Sequence, residues 1–220
     1  REALFSTISR AYACSADNLD FEWLDLVENC LETEMNSDVW ANILLRMSWF
    51  FSEDPERATR LVGEILAKFP GAVLHPAGSR GVAEILVGAK PLSEAESWVK
   101  AFEEATLDRF KMLAGELYPL LAFHSSTART HLEELTEAGE FPDALLAGLV
   151  RSVKWLWNSL GDLKPVGLEI LRRGLSSENS SIRRTSSKLI GASSKIVWDD
   201  PLREYLQEIC GSEESLLADA

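Results

Sequence analysis

Apolar residues along most of the chain recur three and four positions apart, which is the spacing of one face of an α-helix. In the segment that begins at Phe21, for example, Leu24, Val27 and Leu31 continue this spacing. The run Val39–Phe51 is apolar on almost every side, so we expect a helix there that is covered on both faces. No segment alternates between apolar and polar residues as a half-buried strand does. The pattern therefore predicts an all-α protein.

Start and stop signals divide this pattern into separate helices. Asp54 followed by Pro55 is typical of an N-cap and a first helical residue, and we expect that helix to continue to Phe69. Ser93 and Glu96 have the spacing of a capping box, which predicts another helix start. Further helices are predicted over 3–14, 20–35, 107–123, 126–138 and 142–160.

Three positions need separate interpretation. The run Val82–Val87 is short enough to be a buried strand, but its context favours a helix. Pro119 lies inside the helix predicted over 107–123, and it predicts a kink or an early end near Tyr118. Asp162 is expected to cap the helix that follows it.

The predicted helices form pairs with a regular period. The first helix of each pair begins near residues 20, 54, 93, 126, 162 and 200, at intervals of 34, 39, 33, 36 and 38 residues. Such a period predicts a right-handed α-solenoid of about five to six antiparallel helix pairs. We expect residues 1–220 to form a single α-helical repeat domain of a larger protein, with an acidic, disordered tail at 211–220. A compact, non-repeating helical bundle is the alternative.

The stretch Leu163–Ile196 has the most informative residues. Its first half carries leucines and a proline near its start, its turn carries an asparagine, and its second half opens on an Ile-Arg pair followed by small and apolar residues. These residues are Leu163, Pro165, Leu168, Leu171, Leu175, Asn179, Ile182, Arg183, Leu189, Ile190 and Ala192. This pattern resembles a HEAT repeat. Asp38 and Val39 fit the turn of an earlier pair, where Trp40 stands in the place of the family's arginine.

The resemblance implies a curved scaffold that binds other macromolecules, with no enzymatic activity. It also implies that the second helix of each pair lines the concave side of the scaffold. The sequences of the other pairs match the HEAT pattern less well. TPR-like and other helical-repeat arrays therefore also fit the predicted helix pairs.

Charge is distributed unevenly along the chain. The formal net charge is −13, which argues against a general affinity for nucleic acid or for anionic membranes. Residues 1–150 carry 12 Lys and Arg against 25 Asp and Glu, whereas residues 151–203 carry 10 against 5 and residues 204–220 carry none against 5. The basic segment 151–203 is therefore a candidate contact surface for an acidic partner.

Five basic residues are the candidate partner-binding residues. Arg184 and Lys188 are four apart, and Lys195 follows seven later, so the three form one stripe on the last predicted helix. Arg151 and Lys154 belong to the preceding second helix and extend the stripe across two repeats. The expected partner is an acidic protein or another domain of the same polypeptide. A solvated helix face with incidental charges is the alternative interpretation.

The remaining sequence patterns indicate no catalytic, phosphate-binding or metal site. The histidines His75, His124 and His131 lie in no HExxH pattern, and Ser125 and Ser126 should interrupt any helix between the last two. Phosphate-binding loops and nucleophile elbows are absent from the sequence, and no uninterrupted apolar run is long enough to span a membrane. We therefore expect no metal, no cofactor and no enzymatic activity.

Cysteines and acidic pairs have ordinary interpretations. The three cysteines, Cys14, Cys30 and Cys210, are far apart, which indicates small core residues in a reducing compartment rather than a disulfide framework. This favours a cytoplasmic protein, or a nuclear one in a eukaryote, and not a secreted one. The adjacent acidic pairs at 103–104 and 133–134 are expected to be solvated helix faces.

Seven tryptophans are many for a chain of this length. Most of them lie within apolar stripes, so we expect them in the core between stacked helix pairs. Trp155 and Trp157 are two positions apart and cannot share a helix face. At least one of them should therefore lie at an edge or an interface, where tryptophan often anchors a partner.

These observations favour a non-enzymatic interaction module that binds a partner protein through a helical-repeat surface. The alternative is a HEAT-like nucleic-acid-binding or DNA-base-excision protein, because helical-repeat DNA glycosylases have about this size and are rich in aromatic residues. The net charge and the lack of a convincing Trp/Asp/Arg constellation count against this alternative.

Overall fold

The computed structural model describes residues 22–51, 54–88, 92–138, 141–159 and 161–192. Within these ranges it is all-helical, with ten α-helices, two short 3₁₀ segments (Pro70–Leu74 and Gly161–Leu163) and no strand. The α-helices are α1 Glu22–Cys30, α2 Ser37–Met47, α3 Pro55–Lys68, α4 Pro76–Gly88, α5 Leu92–Glu104, α6 Asp108–Leu121, α7 Ser126–Ala138, α8 Asp143–Ser159, α9 Lys164–Ser176 and α10 Ser180–Ala192. The helix predicted over 3–14, the pair predicted to begin near 200 and the tail 211–220 lie outside the described residues.

The chain divides into two compact units, Arg1–Ala101 and Phe102–Ala220. In the first unit, α2 packs against α4, and α1 packs against α3. In the second unit, α6 packs against α8, α8 packs against α10, and α7 packs against α9. Each unit therefore brings alternate helices of the sequence together.

The core of the first unit is built around stacked aromatic rings. Trp23 stacks on Phe50 with ring centroids 4.4 Å apart, and Trp40 stacks on Phe69 at 5.0 Å. Both tryptophans are fully buried, and each gains dispersion contacts and loses apolar surface to water on folding. No residue from 39 to 51 is exposed and most of these side chains are buried, so the segment is covered on both faces as expected.

Ion pairs join α1 to α3 at the surface of this core. The Glu28 carboxylate accepts hydrogen bonds from Arg57 Nη2 at 2.7 Å and from Arg60, and Arg57 also contacts Asp25. The hydrogen bond from Arg57 and the charges of both arginines hold the pKa of Glu28 below its usual range, although partial burial opposes this. The carboxylate therefore stays ionised and keeps α1 attached to α3.

The start and stop signals were only partly right. Asp54 is an N-cap, since its Oδ1 accepts a hydrogen bond from the backbone nitrogen of Arg57 at 3.0 Å. Ser93 lies inside α5, where its hydroxyl donates to the neighbouring Glu94, so it is not the predicted N-cap. Asp162 caps nothing, because α9 begins after Leu163.

Two predicted helix boundaries were also wrong. The helix expected to continue to residue 35 ends at Cys30, and a turn follows in which the Glu34 carbonyl accepts from the Trp40 indole at 3.0 Å. The second is the end of the helix expected over 39–51, since α2 ends at Met47 and a turn follows. The run Val82–Val87, by contrast, is helical as predicted and belongs to α4, which begins six residues earlier, at Pro76.

Glycine lets α4 and α2 approach closely in the first unit. A Cβ on Gly81 would overlap the backbone carbonyl of Leu44 in α2. Only a residue without a side chain fits at this crossing, since an added methyl group would push the two helix backbones apart.

The second unit has an even closer crossing, between α6 and α8. A Cβ on Gly115 of α6 would lie 2.7 Å from the Leu149 backbone nitrogen, and a Cβ on Gly148 of α8 would lie 2.9 Å from the Glu116 backbone nitrogen. Each helix thus presents a glycine to the backbone of the other. The two backbones are in direct contact, and the apolar residues on either side of the glycines pack above and below the crossing.

A proline and a serine complete this crossing. Pro119 lies in α6 but does not stop it before Leu121, so the predicted end near Tyr118 was wrong. Proline has no backbone N–H, so the carbonyl of Gly115, four residues earlier, lacks its intrahelical donor. The buried Ser152 of α8 supplies one, because its Oγ lies 3.0 Å from the Gly115 carbonyl oxygen. The hydroxyl also reaches two carbonyls of its own helix, at the longer distances of 3.2 Å and 3.3 Å.

The last two helices keep the boundaries expected from the HEAT-like stretch as far as the structure describes it. Asn179 begins α10, since its side-chain oxygen accepts from the Ser181 backbone nitrogen at 3.1 Å. Ser186 of α10 is fully buried and lies against Gly174 of α9. A serine on α10 thus permits close helix packing, as its small size predicts.

We predict that Ser152→Ala lowers the free energy of unfolding by about 1–2 kcal/mol, because the buried Gly115 carbonyl loses its donor. In a Pro119→Ala background, the new backbone N–H at residue 119 can reach that carbonyl, so Ser152→Ala should cost less. Urea unfolding of the four proteins of this double-mutant cycle measures the coupling. Ser176→Ala is the control, since its exposed hydroxyl bonds only within its own helix, to the Arg172 carbonyl at 3.0 Å. Equal costs in the two backgrounds would contradict this account.

Candidate partner-binding surface

Four of the five predicted partner-binding residues lie in the described structure, on the neighbouring helices α8 and α10. Arg151 and Lys154 are exposed on α8, and Arg184 and Lys188 are exposed on α10. The fifth, Lys195, lies outside the described residues. We refer to these four exposed residues as the cationic face.

A narrow crevice lies between α8 and α10, beside Arg151. It has a volume of about 20 Å³, enough for about one water molecule. Its lining comes from both helices: Ala147, Val150, Arg151, Ser181, Ile182 and Thr185. Arg184 and Lys188 follow Ser181 by three and seven positions, so they lie on the same side of α10 as this crevice.

Arg151 is the one member of the cationic face that is already paired. Its Nη1 lies 2.9 Å from Glu116 Oε1 of α6. Among the described residues, no carboxylate lies within 4.0 Å of the side-chain nitrogens of Lys154, Arg184 or Lys188. The positive charge that remains for a partner therefore comes mainly from these three residues.

Trp155 lies beside the cationic face. It follows Arg151 by one helical turn, and 41% of its surface is exposed. Its ring meets the half-buried Phe123 edge to face, with centroids 6.3 Å apart. This exposure agrees with the prediction that one of the two closely spaced tryptophans lies at an edge. The side chain of Trp157 is outside the described set.

The other described tryptophans are more buried. Trp23, Trp40 and Trp98 belong to the core, as predicted. Trp49 is half-buried, and the Arg46 guanidinium lies 4.6 Å above its ring centroid. Trp198 lies outside the described residues.

A second polar cluster was missed by the sequence interpretation. The Glu103 carboxylate of α5 accepts a hydrogen bond from the Tyr118 hydroxyl of α6, and its Oε2 lies 3.0 Å from His131 Nε2 of α7. The Tyr118 and His131 rings are 4.9 Å apart. Glu103 is therefore not on a solvated face as predicted, because it joins three helices whose packing the sequence alone does not reveal.

Burial affects the protonation of this cluster. Desolvation of the buried Tyr118 hydroxyl raises its pKa well above the usual value for tyrosine, and the hydrogen bond to Glu103 raises it further. The phenol therefore stays protonated and continues to donate to the carboxylate. The cluster links the last turn of α5 to α6 and α7.

The remaining reactive residues are ordinary. In the described ranges, no group of three or more His, Cys, Asp or Glu side chains is placed to hold a metal ion. Burial raises the pKa of the Cys30 thiol, and the nearby Glu34 adds to the effect, so the thiol stays protonated. Cys14 and Cys210 are outside those ranges.

The two other histidines lie next to helix ends. His75 precedes α4, and its Nδ1 accepts a hydrogen bond from the Ala77 backbone nitrogen at 3.2 Å. His124 is exposed in the turn between α6 and α7. This turn also confirms that the chain between His124 and His131 is not one continuous helix.

An open groove lies where α8 begins and α9 ends. It has a volume of about 310 Å³ and is lined by Phe141, Asp143, Leu146, Arg173, Ser176, Ser177 and Glu178. Asp143 already accepts a hydrogen bond from Asn179 at 3.2 Å, and Arg173 pairs with Glu169 at 2.7 Å. The groove therefore offers less available charge than the cationic face.

None of the described helices has the length and apolar character needed to cross a membrane. Comparisons of the chain with protein-family models, with curated proteins and with solved structures find no significant match.

We predict that Tyr118 makes the fold sensitive to alkaline pH. Its contribution to stability is fully present below about pH 10, the usual pKa of tyrosine in an unfolded chain. Above that pH, only the unfolded chain releases the phenolic proton, so the free energy of unfolding falls. Urea unfolding between about pH 9 and pH 11 should show a steeper fall for the native chain than for Tyr118→Phe. Parallel curves would show that Tyr118 is not held protonated.

Proposed function

We propose that the chain is a non-enzymatic interaction module that binds an acidic partner protein on the cationic face. The observation that carries this proposal is the grouping of Lys154, Arg184 and Lys188 on neighbouring helices without carboxylate partners among the described residues. Exposed charges of one sign attract a partner of the opposite sign and orient it during encounter. The exposed Trp155 at the edge of this face adds an apolar contact of the kind that partners use.

The proposal includes a HEAT-like α-solenoid as the architecture. Its support is the packing of alternate helices within each unit, α2 on α4 in the first and α6 on α8 on α10 in the second. Stacked helix pairs bring alternate helices together in this way, and the surface formed by successive second helices is where such scaffolds bind partners. The cationic face lies on two helices of this kind, α8 and α10.

An acidic protein fits this surface better than a nucleic acid does. Three available cations can neutralise only a few phosphates, and the salt-dependent affinity for nucleic acid grows with that number. The chain as a whole carries a net charge of −13, which repels a polyanion. A short acidic segment of a protein can pair with these three cations. Unlike a nucleic acid, it does not bring a long polyanion close to the acidic rest of the chain.

We predict that Arg184→Glu with Lys188→Glu weakens partner binding by about tenfold or more, since two attractions become repulsions. The partner is captured with the chain as bait, identified by mass spectrometry, purified and titrated calorimetrically. Far-ultraviolet circular dichroism should show unchanged helical content, because both side chains are exposed.

The matched control is Arg172→Glu with Arg173→Glu. These exposed arginines lie on α9 beside Glu169, so the control changes the net charge equally but leaves the cationic face intact. Binding that survives reversal of Arg184 and Lys188, or that falls equally in the control, would refute this face as the site. Titration with duplex and single-stranded DNA at low salt tests the nucleic-acid alternative, which tight DNA binding would favour.

A further inference from the structure

Trp155 is unusual among the large apolar residues of the described chain. Four such residues are exposed there, Met35, Val87, Leu107 and Trp155, and only the last is aromatic. It also lies one helical turn from Arg151 and next to Lys154. The most exposed aromatic side chain of the described residues therefore lies beside the available positive charge, which α8 and α10 share.

The helical geometry of α8 defines where these groups lie. Successive residues are rotated by about 100°, so Lys154 and Trp155 lie on opposite sides of Arg151, one turn further along the helix. Trp155 and Arg151 lie on the side of α8 that faces α6. Trp155 contacts Phe123, in the turn after α6, and Arg151 pairs with Glu116 of α6. Lys154 therefore lies on the side that faces α10, where Arg184 and Lys188 are exposed.

We infer that the cationic face binds an acidic peptide segment that carries an apolar anchor residue. The anchor, a leucine or an aromatic side chain, packs on Trp155 beside Phe123. Acidic residues next to the anchor pair with Lys154, Arg184 and Lys188. This inference rests on the proposed function and adds the chemical class of the segment that the partner presents.

The two kinds of contact supply different parts of the recognition. Exposed ion pairs contribute little to affinity because water and salt screen them, although they select the sign of the partner's charge. A partly exposed tryptophan offers a rigid apolar surface that loses little conformational freedom when it is covered. An acidic segment without an anchor would leave this surface in water, and an apolar segment without acids would leave the three cations unmatched.

The test uses two fluorescein-labelled peptides of twelve residues, each built from Asp and Glu around a central pair that is Leu-Leu in one and Ala-Ala in the other. Fluorescence anisotropy at low salt should show the Leu-Leu peptide binding about tenfold more tightly to the native chain, since the leucines cover Trp155. Trp155→Ala should reduce this preference to about twofold or less, whereas Trp155→Phe should keep most of it. Leu107→Ala is the matched control, because it removes an exposed apolar side chain of the same unit away from the cationic face.

The outcomes separate the inference from the proposed function. In one outcome, both peptides bind equally while Arg184→Glu with Lys188→Glu still abolishes binding. That result would refute the apolar anchor and support the cationic face as the binding site. If neither peptide binds, or the charge reversal has no effect, both the anchor and the face are wrong. A third probe, single-stranded dT of twelve nucleotides, overturns the inference if it binds more tightly than the Leu-Leu peptide and loses that affinity in Trp155→Ala.

Discussion

The second unit depends on direct backbone contact between α6 and α8. Gly115 and Gly148 make this contact possible because neither carries a side chain, and any Cβ there would overlap the opposite backbone. Pro119 leaves the Gly115 carbonyl without an intrahelical donor, and Ser152 supplies that donor from α8. Arg151 and Trp155 follow Gly148 by three and seven positions, so they lie on the same stripe of α8 as the crossing. The crossing thus positions Arg151 beside Glu116 and Trp155 beside Phe123, at the exposed edge of the contact.

Small residues have the same role elsewhere in the chain. Gly81 brings α4 against Leu44 of α2, and Gly174 brings α9 against Ser186 of α10. The residues at these contacts differ from one pair of helices to the next, so the sequence shows little repetition of letters. What recurs is the close packing between helices, achieved each time by a residue with little or no side chain.

Local signals in the sequence predicted part of the local structure. Helical spacing identified Leu24 and Val27 as buried residues of α1, and Asp54 identified the start of α3, because both signals depend only on residues within one helix. Contacts between distant segments were not predictable in this way. Glu103 meets Tyr118 and His131 only once three helices have packed, and Arg151 is neutralised by a carboxylate 35 residues earlier. A glycine within a helical segment is a weak predictor of a close helix crossing. It lowers helix propensity wherever it occurs, and it does not indicate which helix packs against it.

The proposed function depends on a partner segment occupying the outward side of α8 and α10. Nuclear magnetic resonance of the ¹⁵N-labelled chain, titrated with the acidic Leu-Leu peptide, tests this most directly because it locates the contact. The account predicts that the largest shifts occur at the backbone amides of Arg151, Lys154, Arg184 and Lys188 and at the Trp155 indole N–H. It also predicts that these shifts diminish as salt is added. Shifts confined to other helices, or no shifts at low salt, would contradict it.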